Sequence, residues 1–358
     1  MIYNEIRRKT KKIKIGDIFV GGDATVKVQS MTNTDSEDFA ATYAQIKALE
    51  AAGCEIIRMT VPTKEAARVL GKLKESDIQI PIVADIHFDY RLAIASAEAG
   101  ADKIRINPGN IGDADRVKAV VDSCRAHNIP IRIGVNSGSL EKNVLAKFGA
   151  PTGEALAESA LQNIAALERF DFDNVIVAIK SSDVGRMIRA NEIVAAACDY
   201  PIHLGVTEAG GDQMGSVKSA VGIGSLLTRG IGDTLRVSLT ADPVLEIHRG
   251  RAILAALGMD PRAMVNVVSC PTCGRTKIDL IGLANAFEAR MGELHPARPV
   301  KVAIMGCIVN GPGEAKDADI GIAGGVGEAV LFRHGEIIKN LPEEGVLDAL
   351  IEEINSLK

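Results

Sequence analysis

Ile131-Arg132-Ile133-Gly134-Val135-Asn136 is a short β-rich run in the middle of a 358-residue chain. Alternate side chains of a strand point to opposite faces, so the aliphatic residues share one face while Arg132 and Asn136 share the other. An apolar face of this kind packs against helices. The run therefore predicts a strand with helices on one side and a polar interior on the other.

Seven further runs of this kind lie between residues 24 and 258, and a polar turn with an Ala-rich amphipathic segment follows most of them. Strands that alternate with helices pair in parallel, and eight repeats close naturally into a (β/α)8 barrel of the TIM type. The predicted strands are Thr25–Ser30, Cys54–Thr60, Ile80–Asp85, Lys103–Asn107, Ile131–Asn136, Asn174–Lys180, Ile202–Val206 and Thr234–Ser238. The predicted helices include Ser36–Ala52, Lys64–Lys74, Tyr90–Ala99 and Gly153–Glu168. The stretch up to Gly22 is expected to cover the bottom of the barrel.

The carboxyl ends of these strands, where TIM-type barrels build their active sites, carry five cations. They are Arg58, Arg105, Arg132, Lys180 and Arg236. The chain as a whole is acidic, with a formal net charge of −5, so this concentration of positive charge is local. Buried like charges are costly unless an anion compensates them, and guanidinium groups bind phosphate oxygens through paired hydrogen bonds. The pattern predicts a diphosphate site, with a salt bridge to a neighbouring strand as the alternative for any single cation.

Acid–base and hydrogen-bonding groups are predicted at the same mouth. Asp85, His87 and Glu208 can each give, take or orient a proton, and the sequence does not rank them. A structural role is the alternative for His87. The other polar groups at the strand ends are Asn107, Asn136, Thr207 and Ser238.

Past residue 258 the strand and helix repeat stops, and Pro261 marks a boundary between residues 1–260 and 261–358. The second part is predicted to be a small α+β domain. Its expected elements are strand Val265–Ser269, helix Leu280–Met291, strands Val300–Met305, Ile320–Ala323 and Ala329–Arg333, and helix Glu343–Leu357.

Three cysteines lie in two loops of this second domain: Cys270 and Cys273 three apart, and Cys307 in a glycine-rich segment. A structural zinc normally needs four Cys or His ligands, and no histidine lies within a few residues of Cys307. Glu314 is the nearest group able to complete the set. The pattern favours an iron–sulfur cluster held by three thiolates. A zinc site, or a thiol pair with a coincidental third cysteine, remains an alternative.

Four segments give the chain a specific resemblance. They are Val-Gln-Ser-Met-Thr-Asn-Thr (28–34), Gly-Val-Thr-Glu-Ala-Gly (205–210), Cys-Pro-Thr-Cys-Gly-Arg (270–275) and Met-Gly-Cys-Ile-Val-Asn-Gly-Pro-Gly-Glu (305–314). With them the chain resembles the bacterial two-domain 4-hydroxy-3-methylbut-2-en-1-yl diphosphate synthases of the methylerythritol phosphate route to isoprenoids. The resemblance covers nearly the whole chain.

The resemblance implies a [4Fe-4S] cluster on Cys270, Cys273 and Cys307, with Glu314 as fourth ligand in the resting state. It implies that 2-C-methyl-D-erythritol 2,4-cyclodiphosphate is reduced by two electrons, with ring opening and loss of a hydroxyl, and that ferredoxin or flavodoxin is the donor. It also implies a head-to-tail homodimer. Diphosphate binding is carried over to Arg58, Arg105, Arg132, Lys180, Arg236 and Ser238, with Asn107 and Asn136 as further contacts. Asp85, His87, Thr207 and Glu208 match positions near the reacting carbons.

Composition limits the other classes of function. No apolar run reaches the roughly 18 residues of a membrane span, and the first residues are charged, so a cytoplasmic protein is expected. The net negative charge gives no global reason to expect nucleic-acid binding. Two alternative functions remain: a zinc-stabilised barrel lyase or transferase acting on a phosphorylated substrate, and a non-catalytic cluster protein that senses redox state.

Overall fold

The computed structural model describes residues 2–307, 313 and 315–357, and the chain divides into two units, Met1–Asp260 and Pro261–Lys358. In the first unit a closed barrel contains eight parallel strands, as the alternation in the sequence predicts. The strands are β3 (Lys27–Met31), β4 (Ile56–Thr60), β5 (Ile82–Asp85), β6 (Lys103–Ile106), β7 (Ile131–Asn136), β8 (Val175–Lys180), β9 (Ile202–Leu204) and β10 (Thr234–Leu235). They follow one another around the barrel, and β10 pairs with β3 to close it.

A hairpin of β1 (Ile13–Ile15) and β2 (Ile18–Val20), preceded by α1 (Ile2–Glu5), lies before the barrel strands. Its two-residue turn contains Gly16 at φ 54°, a left-handed conformation that favours glycine. Apolar side chains of the hairpin form a buried cluster with residues near the amino ends of three barrel strands. The cluster contains Ile13, Ile15, Val20, Ile56, Val83 and Ile176. The hairpin thus plugs the amino-terminal end of the barrel, where the sequence predicts a cover.

Helices follow the barrel strands and surround them. They are α2 (Phe39–Ala51), α3 (Lys64–Lys74), α4 (Tyr90–Glu98), α5 (Pro108–Ile111), α6 (Ala114–Ala126), α7 (Lys142–Phe148), α8 (Gly153–Glu168), α9 (Val184–Ala197), α10 (Asp212–Leu227) and α11 (Pro243–Ala256). Most begin at an Asp or Thr whose side chain accepts a hydrogen bond from a backbone N–H of the first turn, as Thr63 does for Ala66. Such caps satisfy donors that the helix itself leaves unpaired, and they fix where each helix starts.

Strand β7 divides its side chains as the alternation predicts. Ile131, Ile133 and Val135 are fully buried in the apolar layer between the strands and the helices. Arg132 lies on the opposite face, inside the barrel, and is also buried. The interior of this barrel is therefore strongly polar at the level where its strands end.

The second unit is a five-stranded sheet with helices packed on it. Its elements are β11 (Val265–Ser269), α12 (Leu280–Ala289), β12 (Val300–Met305), β13 (Ile320–Gly324), β14 (Glu328–Arg333), β15 (Glu336–Pro342) and α13 (Val346–Ser356). The sheet order is β11-β12-β13-β14-β15, parallel among the first three strands and antiparallel thereafter. Strand β15 was not predicted. It is an edge strand with almost every residue exposed, so it lacks an alternating apolar pattern.

Candidate active site

A cavity inside the barrel brings together most of the residues that the sequence singles out. Its lining includes ten of them: Arg58, Asp85, His87, Arg105, Arg132, Asn136, Lys180, Thr207, Arg236 and Ser238. Met31, Gly134 and Ala178, which sequence reasoning missed, complete the lining. Gly134 lies in the run quoted above, and its lack of a side chain leaves room for the guanidinium of Arg105, which a Cβ there would overlap.

Asp85 is the centre of a buried ionic group. Its Oδ1 lies 3.0 Å from Nη1 of Arg105, and its Oδ2 lies 3.5 Å from Nε of Arg58. Burial works to raise the pKa of Asp85, but the two guanidinium groups outweigh burial and lower it to about 2. Burial and the neighbouring arginines lower the pKa of Arg58 to about 10, against the opposing effect of Asp85. Asp85 is consequently a carboxylate at any physiological pH.

Arg236 is held by a carboxylate that the sequence analysis did not identify. Glu246 on α11 is 3% exposed and accepts hydrogen bonds from Nε and Nη2 of Arg236, each at 3.1 Å. It also accepts bonds from the Ser30 hydroxyl at 2.9 Å and the Leu239 backbone N–H at 3.0 Å. Glu246 follows Arg236 by ten residues across a turn, and no sequence pattern indicates that pairing. One edge of the Arg236 guanidinium is thus occupied.

Arg132 and Lys180 differ from the other three cations. Within residues 2–307, 313 and 315–357, neither forms an ion pair with a carboxylate, and Nε and Nη1 of Arg132 are buried without a hydrogen-bond partner. Burial, followed by the surrounding arginines, holds the pKa of both groups well below the ordinary values. An unpaired buried cation is unstable unless an anion joins it. The salt-bridge alternative thus describes Arg58, Arg105 and Arg236, and the other two remain available to an anion.

The remaining candidates occupy different surroundings. His87 is half-exposed, with its Nε2 4.0 Å from Oδ2 of Asp85. Thr207 lines the cavity, whereas Glu208 and Asn107 are not part of its lining. Glu208 has a φ of 51°, an uncommon conformation for a residue with a side chain. Asn107 is 3% exposed and caps α5.

The three candidate cluster thiols lie in the second unit, just past two adjacent parallel strands, β11 and β12. The loops are joined by hydrogen bonds: the Lys277 N–H donates to the Gly306 carbonyl at 3.2 Å, and the Gly306 N–H donates to Sγ of Cys270 at 3.2 Å. Cys270 and Cys307 are half-buried and Cys273 is exposed. The loops that contain the three cysteines therefore lie at the same end of the sheet, where β11 and β12 finish.

The electrostatic surroundings of Cys273 suit a thiolate. The backbone N–H and then the side chain of Arg275 lower its pKa. Burial instead raises the pKa of Cys54 and Cys124 to about 12, which makes those two thiols inert. N–H groups directed at sulfur favour thiolate ligands and tune the metal they hold. The chemistry of these donors suits a cluster, although the three thiols are not grouped closely enough in this structure to hold a metal ion.

Glu314 lies outside the described residues. Among the residues that are described, no group of three or more His, Cys, Asp or Glu side chains is placed to hold a metal ion. No helix in the described part of the chain has the length and apolarity needed to cross a lipid bilayer.

Comparison with known families gives two matches that together span most of the chain. The family model described as the GcpE TIM-barrel domain matches residues 10–251. The model described as the GcpE protein C-terminal domain matches residues 266–356. The matched segments correspond to the barrel unit and the second unit.

Curated relatives are similar over nearly their full lengths. The chain is 55% identical over 351 residues to the 4-hydroxy-3-methylbut-2-en-1-yl diphosphate synthase (flavodoxin) of Ruminiclostridium cellulolyticum, which covers 98% of both chains. It is 54% identical over 353 residues to the protein of the same name from Caldanaerobacter subterraneus, covering 99% of this chain and 98% of the relative.

Among solved structures, the spore coat polysaccharide biosynthesis protein SpsE of Bacillus subtilis superposes with a TM-score of 0.50 at 12% identity. The superposition covers 70% of this chain and 74% of that one. Similarity at this level concerns the barrel fold alone.

Proposed function

Because this chain belongs to the GcpE family, we infer that it is an oxidoreductase of isoprenoid biosynthesis with 4-hydroxy-3-methylbut-2-en-1-yl diphosphate synthase activity. The reaction converts 2-C-methyl-D-erythritol 2,4-cyclodiphosphate by two-electron reductive ring opening and loss of a hydroxyl. The observation that carries this proposal is the barrel cavity, in which buried Arg132 and Lys180 lack a carboxylate partner within the described residues. A diphosphate supplies the negative charge that such a cavity needs.

In this proposal the five cations have two roles: two of them contact the diphosphate directly, and three contribute positive potential. Arg132 and Lys180 form the primary contacts to the diphosphate, because no carboxylate in the described part of the chain pairs with either, and Nε and Nη1 of Arg132 have no hydrogen-bond partner there. Arg58, Arg105 and Arg236 are fixed by Asp85 and Glu246 and add positive potential along the cavity wall. Asn107, Asn136 and Ser238 contribute further hydrogen bonds. Prearranged cations also stabilise the diphosphate as it becomes a leaving group on ring opening.

The protein groups near the reacting carbons have distinct roles. Asp85 stays ionised, since its pKa is about 2, so it orients neighbours and does not donate a proton. His87 lies beside Asp85 and is half-exposed, which lets its imidazole exchange protons with solvent and deliver one to the departing hydroxyl. Thr207 lines the same cavity and is a hydrogen-bond partner for the substrate. Glu208, the next residue, is outside the lining of the ligand-free cavity and keeps only the position that the family resemblance gives it.

Cys270, Cys273 and Cys307 would hold a [4Fe-4S] cluster, with Glu314 as the fourth ligand. When bound, the cluster would pass on the two electrons of the donor and would offer a position where an oxygen ligand can be exchanged. A carboxylate suits that position because it is a harder ligand than a thiolate and is displaced more easily from iron. The Gly306 and Arg275 N–H groups stabilise the thiolates.

We propose flavodoxin as the electron donor, as the names of the relatives indicate, with ferredoxin as the other candidate. The proposal also includes a cytoplasmic location and a head-to-tail homodimer, in which each active site combines the cysteines of one chain with the cationic cavity of the other. A cluster held by these cysteines would have to lie beside the bound substrate, and such an assembly would allow that.

The test is anaerobic preparation, followed by measurement of iron, labile sulfide and zinc, and then turnover of the cyclodiphosphate with reduced flavodoxin. We expect about four iron and four sulfide per chain and formation of the linear diphosphate. Zinc without sulfide would overturn the cluster and favour the lyase or transferase alternative. A loaded cluster without turnover, under conditions that reduce it, would favour the redox sensor.

A further inference from the structure

The side-chain amide of Asn107 has a hydrogen-bond partner for its oxygen but, among the described residues, none for its NH2 group. Asn107 ends the extended segment of β6 and caps α5, where its Oδ1 accepts the Gly109 N–H at 3.1 Å. Its Nδ2 is buried without a partner among the described residues. A helix as short as the four residues of α5 has little stability of its own, so the turn that presents this amide needs support from elsewhere.

That support comes from Asn163 on α8. Asn163 is 4% exposed, and its Oδ1 accepts the same Gly109 N–H at 3.2 Å. Its Nδ2 donates to Oε1 of Glu141 at 2.9 Å and to the Ser159 carbonyl at 2.9 Å. The amide has only one orientation that satisfies these neighbours, because a flip would direct its oxygen at a carboxylate and its NH2 at an N–H. The carboxylate of Glu141 therefore fixes which atom of Asn163 faces Gly109.

Glu141 lies in the loop after β7 and immediately before α7. Its position is that of a helix cap, yet its side chain makes no capping bond and instead accepts the Ser159 hydroxyl at 2.6 Å and the Asn163 amide. Gly109 allows the approach, since a Cβ there would lie 2.6 Å from Oε1 of Glu141. The pair thus ties the loop after β7 to the turn after β6.

We propose that Glu141 and Asn163 are a positioning pair, which holds the Gly109 turn and with it Asn107. Asn107 is outside the lining of the ligand-free cavity but follows Arg105, which lines it, by two residues, and the pair keeps the open amide of Asn107 where a bound substrate can reach it. The inference rests on the proposed function, because it takes Asn107 as a substrate contact. Neither member of the pair touches the substrate. Both act through the turn, and small displacements of a binding group have large kinetic effects.

Swapping the carboxylate of Glu141 and the amide of Asn163 between the two positions tests the pair. Asn163→Asp sets two carboxylates against each other, and Glu141→Gln removes the charge that orients the amide. The double variant Glu141→Gln/Asn163→Asp restores the bond between the two positions, because the amide introduced at position 141 can donate to the carboxylate introduced at position 163, and that carboxylate still accepts the Gly109 N–H. Only the bond to the Ser159 carbonyl is not recovered. We expect each single variant to raise KM roughly 10-fold with a much smaller change in kcat, and the double variant to return KM to within about threefold of the parent. Gln162→Ala, at the exposed position of α8 immediately before Asn163, is the matched control.

Hydrogen–deuterium exchange over residues 103–112 gives a readout that does not depend on turnover. Exchange in this segment should quicken in both single variants and recover in the double variant. Single variants that match Gln162→Ala in KM and exchange would overturn the proposal, as would a folded double variant with no recovery. If the parent protein itself neither bound nor reduced the cyclodiphosphate, the proposed function would fail, and the exchange data would still decide whether the pair holds the turn.

Discussion

Asp85 and Arg105, on neighbouring strands of the barrel, face each other with Oδ1 and Nη1 3.0 Å apart, and the same carboxylate also approaches Arg58. One buried anion thus compensates two buried cations inside a cavity that contains three more. The balance of charge in the ligand-free protein depends on this residue.

Asp85→Asn should therefore destabilise the ligand-free barrel by about 3–5 kcal/mol, because it leaves Arg58 and Arg105 without a counter-charge. Since the folded-state pKa of Asp85 is about 2, its stabilising contribution is complete above about pH 4 and declines only as pH falls towards 2. Chemical denaturation between pH 4 and pH 8 should show a constant difference from the parent. Asp115→Asn, on the exposed start of α6, is the control and should have almost no effect.

Arg132→Ala should weaken substrate binding by about 2–3 kcal/mol and leave cluster content unchanged. Its thermal stability without ligand should be equal to or above that of the parent, because the variant removes a buried cation that lacks an ionic partner in the described structure. Arg132→Lys should restore only part of the affinity, since an ammonium group cannot form the paired bonds of a guanidinium. Calorimetric titration measures the substrate affinity of both variants, and thermal denaturation measures the stability of Arg132→Ala. An unchanged affinity in Arg132→Ala would mean that Arg132 has a structural role.

Lys180 should couple diphosphate binding to proton uptake. Burial and the neighbouring arginines hold its pKa well below the ordinary value in the ligand-free protein, and an arriving anion raises it. At a pH between the two values the protein should take up a fraction of a proton on binding, and affinity should fall as pH rises. Calorimetry in buffers of different ionisation enthalpy measures the uptake. The same uptake in Lys180→Arg, which stays charged throughout, would assign it to another group.

Cys307→Ser should abolish the cluster and reductive activity while the barrel stays folded, because the residue belongs to the second unit, Pro261–Lys358, and not to the barrel unit. An iron assay after anaerobic preparation, together with circular dichroism, decides the point. Cys198→Ser, at the end of α9, should retain full iron content. Full iron content in Cys307→Ser would remove this cysteine from the ligand set.

The proposed dimer predicts complementation. Mixing inactive Cys307→Ser chains with inactive Arg132→Ala chains should produce heterodimers with one intact site and one doubly damaged site. Activity well above either parent variant should appear once subunits exchange, which native mass spectrometry can follow. Confirmed exchange without recovered activity would mean that each chain serves its own barrel.

The parts of the fold that sequence could predict are those set by local periodicity. The alternation in Ile131–Asn136 predicted both the apolar outer face of β7 and the inward direction of Arg132. Strands β9 and β10 end earlier than predicted, and at Gly205 the backbone passes close to the Arg236 carbonyl. The pairing of Arg236 with Glu246 could not be predicted from the sequence, for a different reason. Glu246 meets Arg236 only because α11 folds back against β3 and its neighbour β10, and helical periodicity gives no sign of a contact that the tertiary structure creates.

The hairpin fills the amino-terminal end of the barrel, so the cationic cavity opens only at the carboxyl ends of the strands. Whatever enters at the mouth must leave by the same opening, and the water it displaces has to escape past it. Product departure and substrate arrival are therefore mutually exclusive events, and a compound lodged at the rim would block both. Loosening the plug, for example with a polar residue in place of Ile15, would admit water from below and weaken the attraction between the cations and their ligand without altering any residue that touches it.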